Sequence, residues 1–137
     1  MNKILSNHAI IAVICKKKED KEMIEVIFEV HIPKEKLAFY LELAEELKPS
    51  LKKTPGFISS ERFTSLTQPE KLLSLSKWEN EESLTLWRNE TQHRLKQKIG
   101  REKIFTHYQI TVTKTLRCYT ENKRQEAPVD SNAFFKL

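Results

Sequence analysis

Glycine is almost absent, with Gly56 and Gly100 the only two in 137 residues. A phosphate-cradling loop needs several glycines to let the backbone close on its ligand, so the Gly-rich nucleotide motifs are excluded. Cysteine is equally scarce: Cys15 and Cys118 stand far apart with no metal-ligand spacing, which excludes a zinc site or a disulfide framework and suits free thiols in a reducing cytoplasm. No nucleophile motif is present. Long apolar runs are missing as well. Residues 9–15 (AIIAVIC) are too few to span a membrane and no small-residue cleavage pattern follows them, so they read as a strand rather than a secretory signal. Nor is the charge one-sided. The 24 basic and 19 acidic residues leave +5, and apart from Lys16-Lys17-Lys18 the signs are interspersed, which describes a solvated surface better than a nucleic-acid track.

What remains is a clear alternation of periods. Residues 23–32 (MIEVIFEVHI) place Ile24, Val26, Phe28, Val30 and Ile32 on one face and Met23, Glu25, Ile27, Glu29 and His31 on the other, the strongest strand in the chain. The spacing predicts a hairpin between this strand and residues 9–15, which would make the earlier one an added edge strand. Pro33 suits a helix start. Tyr40, Leu41, Ala44, Leu47 and Leu51 then mark a helical stripe, widened by Phe39 and Leu43, with a break or kink expected near Pro49. Pro55-Gly56 is a turn, and residues 57–65 and 72–79 read as a hairpin. Asn80 caps a helix with Glu81 and Glu82 in its first turn and with Leu84, Trp87, Thr91, Leu95 and Ile99 as its stripe, and Gly100 stands where a left-handed cap is expected. Residues 107–116 form the last strand, and the tail beyond loses all periodicity before an apolar tip, Ala133-Phe134-Phe135-Lys136-Leu137.

Strand, helix, strand, strand, helix, strand is the ferredoxin-like α+β order. Right-handed crossovers put both helices on one face of a four-stranded antiparallel sheet. The other face needs cover, and the same face of a second copy supplies it most simply, so a homodimer is expected. The boundaries are residues 1–22 for an N-terminal extension, 23–118 for the domain, and 119–137 for a tail that is disordered or docked on the partner.

The ordered set VIFEV, PGFISSERF, LLSLSKWENEES, the Trp87-x5-His93 pair, Gly100-Arg101 and a final strand from Tyr108 resembles the antibiotic biosynthesis monooxygenase domain over about residues 23–119. The resemblance implies a dimeric α+β barrel. It also implies a choice of activities, among them cofactor-free oxidation of quinols or anthrones, haem degradation and quinol handling. The haem branch is the weaker match: Lys98-Ile99 stands before Gly100-Arg101 where that branch carries its iron-ligating histidine, and its first-strand asparagine falls near Glu29. An RNA-recognition module shares the element order, but strand 72–79 offers only Trp78 for stacking.

The leading expectation is therefore a monooxygenase using no metal or cofactor, in which a deprotonated aromatic small molecule itself reduces O₂. Such a site needs an apolar pocket, a base and donors for the developing oxyanion. His93, Glu29 and His31 are the candidate bases. Tyr40, Trp78, Trp87 and Phe63 are expected to line the pocket between sheet and helices, and Arg62 to hold an anionic oxygen. The alternative is a non-catalytic dimer that binds aromatic or quinone-type molecules with the same pocket and no base. Neither membrane nor nucleic acid is an expected partner.

Overall fold

The computed structural model describes residues 22–137, so the expected strand at 9–15 and Cys15 lie outside it. Four strands form one antiparallel sheet: β1 (Ile24–His31), β2 (Phe57–Thr64), β3 (Lys71–Trp78) and β4 (His107–Lys114), in the order β2-β3-β1-β4. Helix α1 (Leu37–Lys53) links β1 to β2, while α2 (Glu81–Arg88) and α3 (Thr91–Ile99) link β3 to β4; a short helix α4 (Val129–Phe135) ends the chain. The ferredoxin-like α+β arrangement read from the periodicities is the fold. The expected hairpin between residues 9–15 and β1 is not. β1 is a central strand, paired along its whole length with β3 on one side and β4 on the other, so neither edge can take another strand.

Register assigns the faces. Ile24, Val26, Phe28 and Val30 share the helix side with Trp78, Ser76, Ser74 and Leu72 of β3 and with Lys114, Val112, Ile110 and Tyr108 of β4. The core splits into two clusters along this face. One gathers Ile24, Trp78, Leu84 and Trp87 against Leu47 and Leu51, and the other gathers Val30, Ile32 and Ile104 against Phe28, Tyr40 and Phe105.

Three local irregularities depart from the periodic expectation. A bulge between Phe57 and Ser59 places Phe57 opposite Trp78 on the helix side while Phe63, opposite Leu73, falls on the helix-free side. Strict alternation puts both phenylalanines on one face. The single helix expected over 80–100 is two helices: α2 ends at Arg88 with Asn89 as its C-cap, and the Glu90 carboxylate starts α3 by accepting from the amides of Gln92 and His93. The interruption shifts the phase, so Thr91 is exposed and Leu95 is 52% exposed, while His93, Lys96 and Gln97 turn inward. Gly100 is not a left-handed cap. Its φ is −57° and it opens a π turn, Gly100–Ile104, closed by the Phe105 amide donating to the Gly100 carbonyl at 2.9 Å. Glycine is needed there for space, since a Cβ would stand 2.6 Å from the Phe105 ring. Gly56 does need its freedom: φ is +83°, and a Cβ would lie 1.9 Å from the Ser83 hydroxyl oxygen.

Helix α1 runs unbroken through Pro49, where the carbonyl that loses its intrahelical partner belongs to the exposed Glu45. Phe39 and Leu41 of α1 lie outside the inner stripe, 45% and 42% exposed. In the tail, residues expected to be irregular form α4. No helix among the described residues is long and apolar enough to cross a membrane.

Candidate functional site

Arg62 is the most unusual polar residue on the helix side. It sits on β2 opposite Ser74, which in turn lies opposite Phe28, so the three form one row across the sheet. Its guanidinium lies over the Tyr40 ring, 5.9 Å from the centroid. Its Nε is buried and has no hydrogen-bond partner among the described residues. A buried donor without an acceptor is costly, and it marks a place where an anionic or carbonyl oxygen would be welcome.

Aromatic rings complete the surroundings. Phe105 meets Tyr40 and Phe28 edge-on, each at 5.6 Å between centroids, and Tyr108 stands 6.2 Å from Phe28 and 6.0 Å from Phe105. The packing of Phe105 against the Cβ-less face of Gly100 is what brings its ring into this group. The result is a cation flanked by π faces and edges, suited to an aromatic ligand bearing an anionic oxygen. It is a sheet face partly covered by α1 rather than a closed cavity. Two open grooves of about 400 Å³ each lie elsewhere: one beside Glu25, Thr113, Leu116 and Tyr119, the other beside Ser50, Thr54, Leu86 and Glu90.

His93 forms a second centre at the other end of the core. Its ring stacks on Trp87 at 4.3 Å and 16°, and Nδ1 lies 2.9 Å from the Trp87 carbonyl oxygen. That oxygen only accepts, so Nδ1 carries the hydrogen and Nε2 is left as the acceptor, facing the Gln97 amide at 3.4 Å. Burial holds the imidazole below its usual pKa, opposed by the Trp87 carbonyl and by Glu90, with Arg94 adding to the lowering. A neutral ring with a fixed tautomer and a lone pair at Nε2 is the form a general base requires.

The remaining candidates are dispersed. Trp78 is 1% exposed in the first core cluster, its Nε1 donating to Ser76 Oγ at 2.9 Å, so it is core rather than an accessible wall. Trp87 is in the same cluster, 8% exposed. Glu29, His31 and Phe63 lie on the helix-free face, away from Arg62 and Tyr40. There Glu29 pairs with Lys71 at 3.1 Å, and His31 meets His107 edge-on at 5.7 Å. The structure thus joins Arg62 to Tyr40 and His93 to Trp87, with Trp78 in the Trp87 cluster, and puts Glu29, His31 and Phe63 on the other face of the sheet. Phe28, Phe105 and Tyr108 are the site residues that sequence reasoning missed. Phe105 lies between the helical stripe ending at Gly100 and the last strand from residue 107, where no period assigns it a face, and the alternation that locates Phe28 and Tyr108 does not say which apolar positions stay reachable. Among the described residues no group of three or more His, Cys, Asp or Glu side chains could hold a metal ion.

A family model for antibiotic biosynthesis monooxygenases matches residues 23–98. Among solved structures, a conserved protein from Methanosarcina mazei Go1 is 22% identical with a TM-score of 0.62, the match covering 68% of this chain and 92% of that one. A conserved Bacteroides thetaiotaomicron protein of unknown function is 20% identical, with a TM-score of 0.61 and coverage of 69% and 99%. An antibiotic biosynthesis monooxygenase crystal structure is 14% identical, with a TM-score of 0.60 and again 69% and 99% covered. At such identities the structural likeness establishes the fold. No curated protein matches the chain significantly.

Proposed function

The chain belongs to the antibiotic biosynthesis monooxygenase family, and from that premise we propose that it oxidises an electron-rich aromatic, a quinol or an anthrone-like molecule, with O₂ and no cofactor. The observation that carries this reading is the buried Nε–H of Arg62, unpartnered beneath Tyr40 and beside Phe28 and Phe105. A phenolate or enolate oxygen fits that donor, and lowering the energy of the anion is the step on which substrate-driven oxygen reduction depends.

The balance needs no further reductant. An anthrone methylene loses two hydrogens and gains one oxygen to become a carbonyl, a four-electron oxidation. O₂ accepts those four electrons and ends as that carbonyl oxygen and one water. The protein has to take the acidic proton, hold the anion and keep bulk water away. Of the three candidate bases, only His93 is on the helix side with Arg62, and its neutral ring suits the task once a substrate proton takes the place of the Gln97 amide at Nε2. Glu29 and His31 could act only at a site on the helix-free face. That face carries Ile27, Leu73, Leu75 and Phe63 between the Glu29–Lys71 and Glu25–Lys77 pairs, and we propose it as the homodimer interface of the family's dimeric fold. The exposed free thiol of Cys118 suits a cytoplasmic setting.

Oxygen uptake by metal-free protein against anthrones, hydroquinones and catechols tests the activity. Uptake that falls at least tenfold in both Arg62→Met and His93→Ala supports the oxygenase. One observation favours a second reading, a binding protein without turnover: Tyr40 and His93 pack in different core clusters. Tryptophan quenching by the same compounds, with no uptake and no loss of affinity in His93→Ala, would replace the first reading by the second.

A further inference from the structure

Two apolar surfaces of the described chain lack cover. The first is the helix side of β4. Tyr108, Ile110 and Val112 face the same way as Val30, Phe28 and Val26, yet they are 36%, 56% and 49% exposed, because α1 packs over β2 and α2 over β3. This strip is the open wall of the Arg62 site, since Tyr108 adjoins both Phe28 and Phe105. The second is the tail helix. α4 buries none of its residues; Phe134 and Phe135 meet only each other among aromatic rings, at 5.0 Å, and are 79% and 63% exposed, with Leu137 at 70% and Val129 at 85%.

The tail is nevertheless a built element. Arg124 Nε donates to Asn132 Oδ1 at 2.9 Å and its guanidinium lies 5.2 Å from the Tyr119 ring centroid, while the Cys118 amide donates to the Glu126 carboxylate at 2.6 Å. These ties hold α4 in shape while its aromatic side points outward.

We propose that α4 of one copy docks on the β4 strip of a second copy, reciprocally, so that the partner's tail closes each Arg62 site. Among the described residues β4 is an edge strand, so an incoming segment reaches the strip without crossing the sheet. Residues 115–119 leave β4 in a groove lined by Glu25 and Thr113 of the helix-free face and by Lys114 at the end of β4, and none of Tyr108, Ile110 and Val112 lines it. Area also agrees. A buried aromatic side chain hides ~150–250 Å². With the exposures above, the four apolar tail residues offer roughly 500 Å² per tail and the three strip residues roughly 250 Å², about 750 Å² per contact and about 1,500 Å² for the reciprocal pair, within the ~1,200–2,000 Å² of stable interfaces. Two-fold symmetry makes both contacts form or neither. The docking rests on the proposed function only for what the closed site does.

The test uses the full chain with Cys15→Ser, Cys118→Ser and Ala133→Cys, a nitroxide on the new thiol, mixed with an equal amount of ¹⁵N-labelled chain. Relaxation enhancement crossing between copies should broaden the amides of Tyr108, Ile110 and Val112. Adding Phe134→Ser and Phe135→Ser to the spin-labelled chain should abolish that broadening and weaken self-association at least tenfold by sedimentation. No broadening in the ¹⁵N-labelled copy, broadening at Ile27, Leu73 and Leu75 instead, or a monomer at tens of micromolar overturns the docking. A monomer that still consumes oxygen would refute the docking and leave the proposed function standing.

Discussion

Replacing Arg62 by methionine is expected to stabilise the ligand-free protein while removing its function. The buried Nε–H has no acceptor among the described residues, a defect that costs about 1–3 kcal/mol. Against this stands the Tyr40 contact at 5.9 Å, worth ~0.5–1 kcal/mol at a partly exposed site. Methionine keeps much of the apolar stem and has no N–H to satisfy. The net change is a gain of about 0–2 kcal/mol. Taking ~1 kcal/mol with a urea slope of ~1–3 kcal/mol/M, the midpoint should rise by roughly 0.3–1 M with the slope unchanged. Function should move the other way, since removing one oxyanion donor typically lowers kcat by ~10²–10³. Saturating ligand should raise the urea midpoint of the natural protein and leave that of Arg62→Met where it was. Arg62→Lys should fall between, keeping the charge and losing the planar fork. A midpoint lowered by the equivalent of ~1 kcal/mol or more in Arg62→Met would show that Arg62 holds the fold together, and the argument for a ligand oxygen would fail.

His93 should leave a signature in the pH dependence of stability. Its folded pKa lies below the usual 6.5, so between those two values the unfolded chain binds more protons; stability is full above about pH 6.5 and declines as pH falls through the folded value. Urea midpoints in His93→Gln should lose that part of the slope, and an unchanged slope would contradict the buried neutral ring. Gly100→Ala should cost about 1–3 kcal/mol, because the new Cβ must displace the Phe105 ring. The same displacement should weaken binding of aromatic ligands measured by tryptophan quenching. Asn80→Ala removes the acceptor for the Ser83 amide at 2.8 Å and the Ser83 hydroxyl at 3.0 Å, and thermal melts should show a loss of ~1 kcal/mol, with Asn80→Asp close to the natural protein.

Element types and order were legible because β1 alternates over eight residues and the helices carry three-to-four-residue stripes, patterns that need only local chemistry. Pairing was less so. Residues 9–15 precede β1 closely enough to suggest a hairpin, but both edges of β1 are taken by strands more than 35 residues away in sequence, and no local signal announces that. Of the site, Arg62 and Tyr40 were legible as individuals. Their contact was not, since it depends on how α1 lies across β2.

The residues that moved furthest from expectation moved for one kind of reason. The bulge after Phe57 inverts the face on which Phe63 falls, and the interruption at Asn89 and Glu90 rotates α3 so that His93 turns in and Leu95 turns out. The π turn at Gly100 carries Phe105 from a presumed loop into the aromatic group beside Arg62. Each is a departure of one or two residues from a regular period, and periodic reasoning assigns a wrong face to everything beyond such a departure. The core tolerates this because many positions vote on the fold. A site depends on where single side chains point, so it is most sensitive to the backbone features that alternation and stripes do not encode. His93 illustrates the gain as well as the loss: a straight helix through residue 90 would place it by phase alone, whereas the Glu90 cap sets the turn that stacks it on Trp87 and aims Nδ1 at that residue's carbonyl.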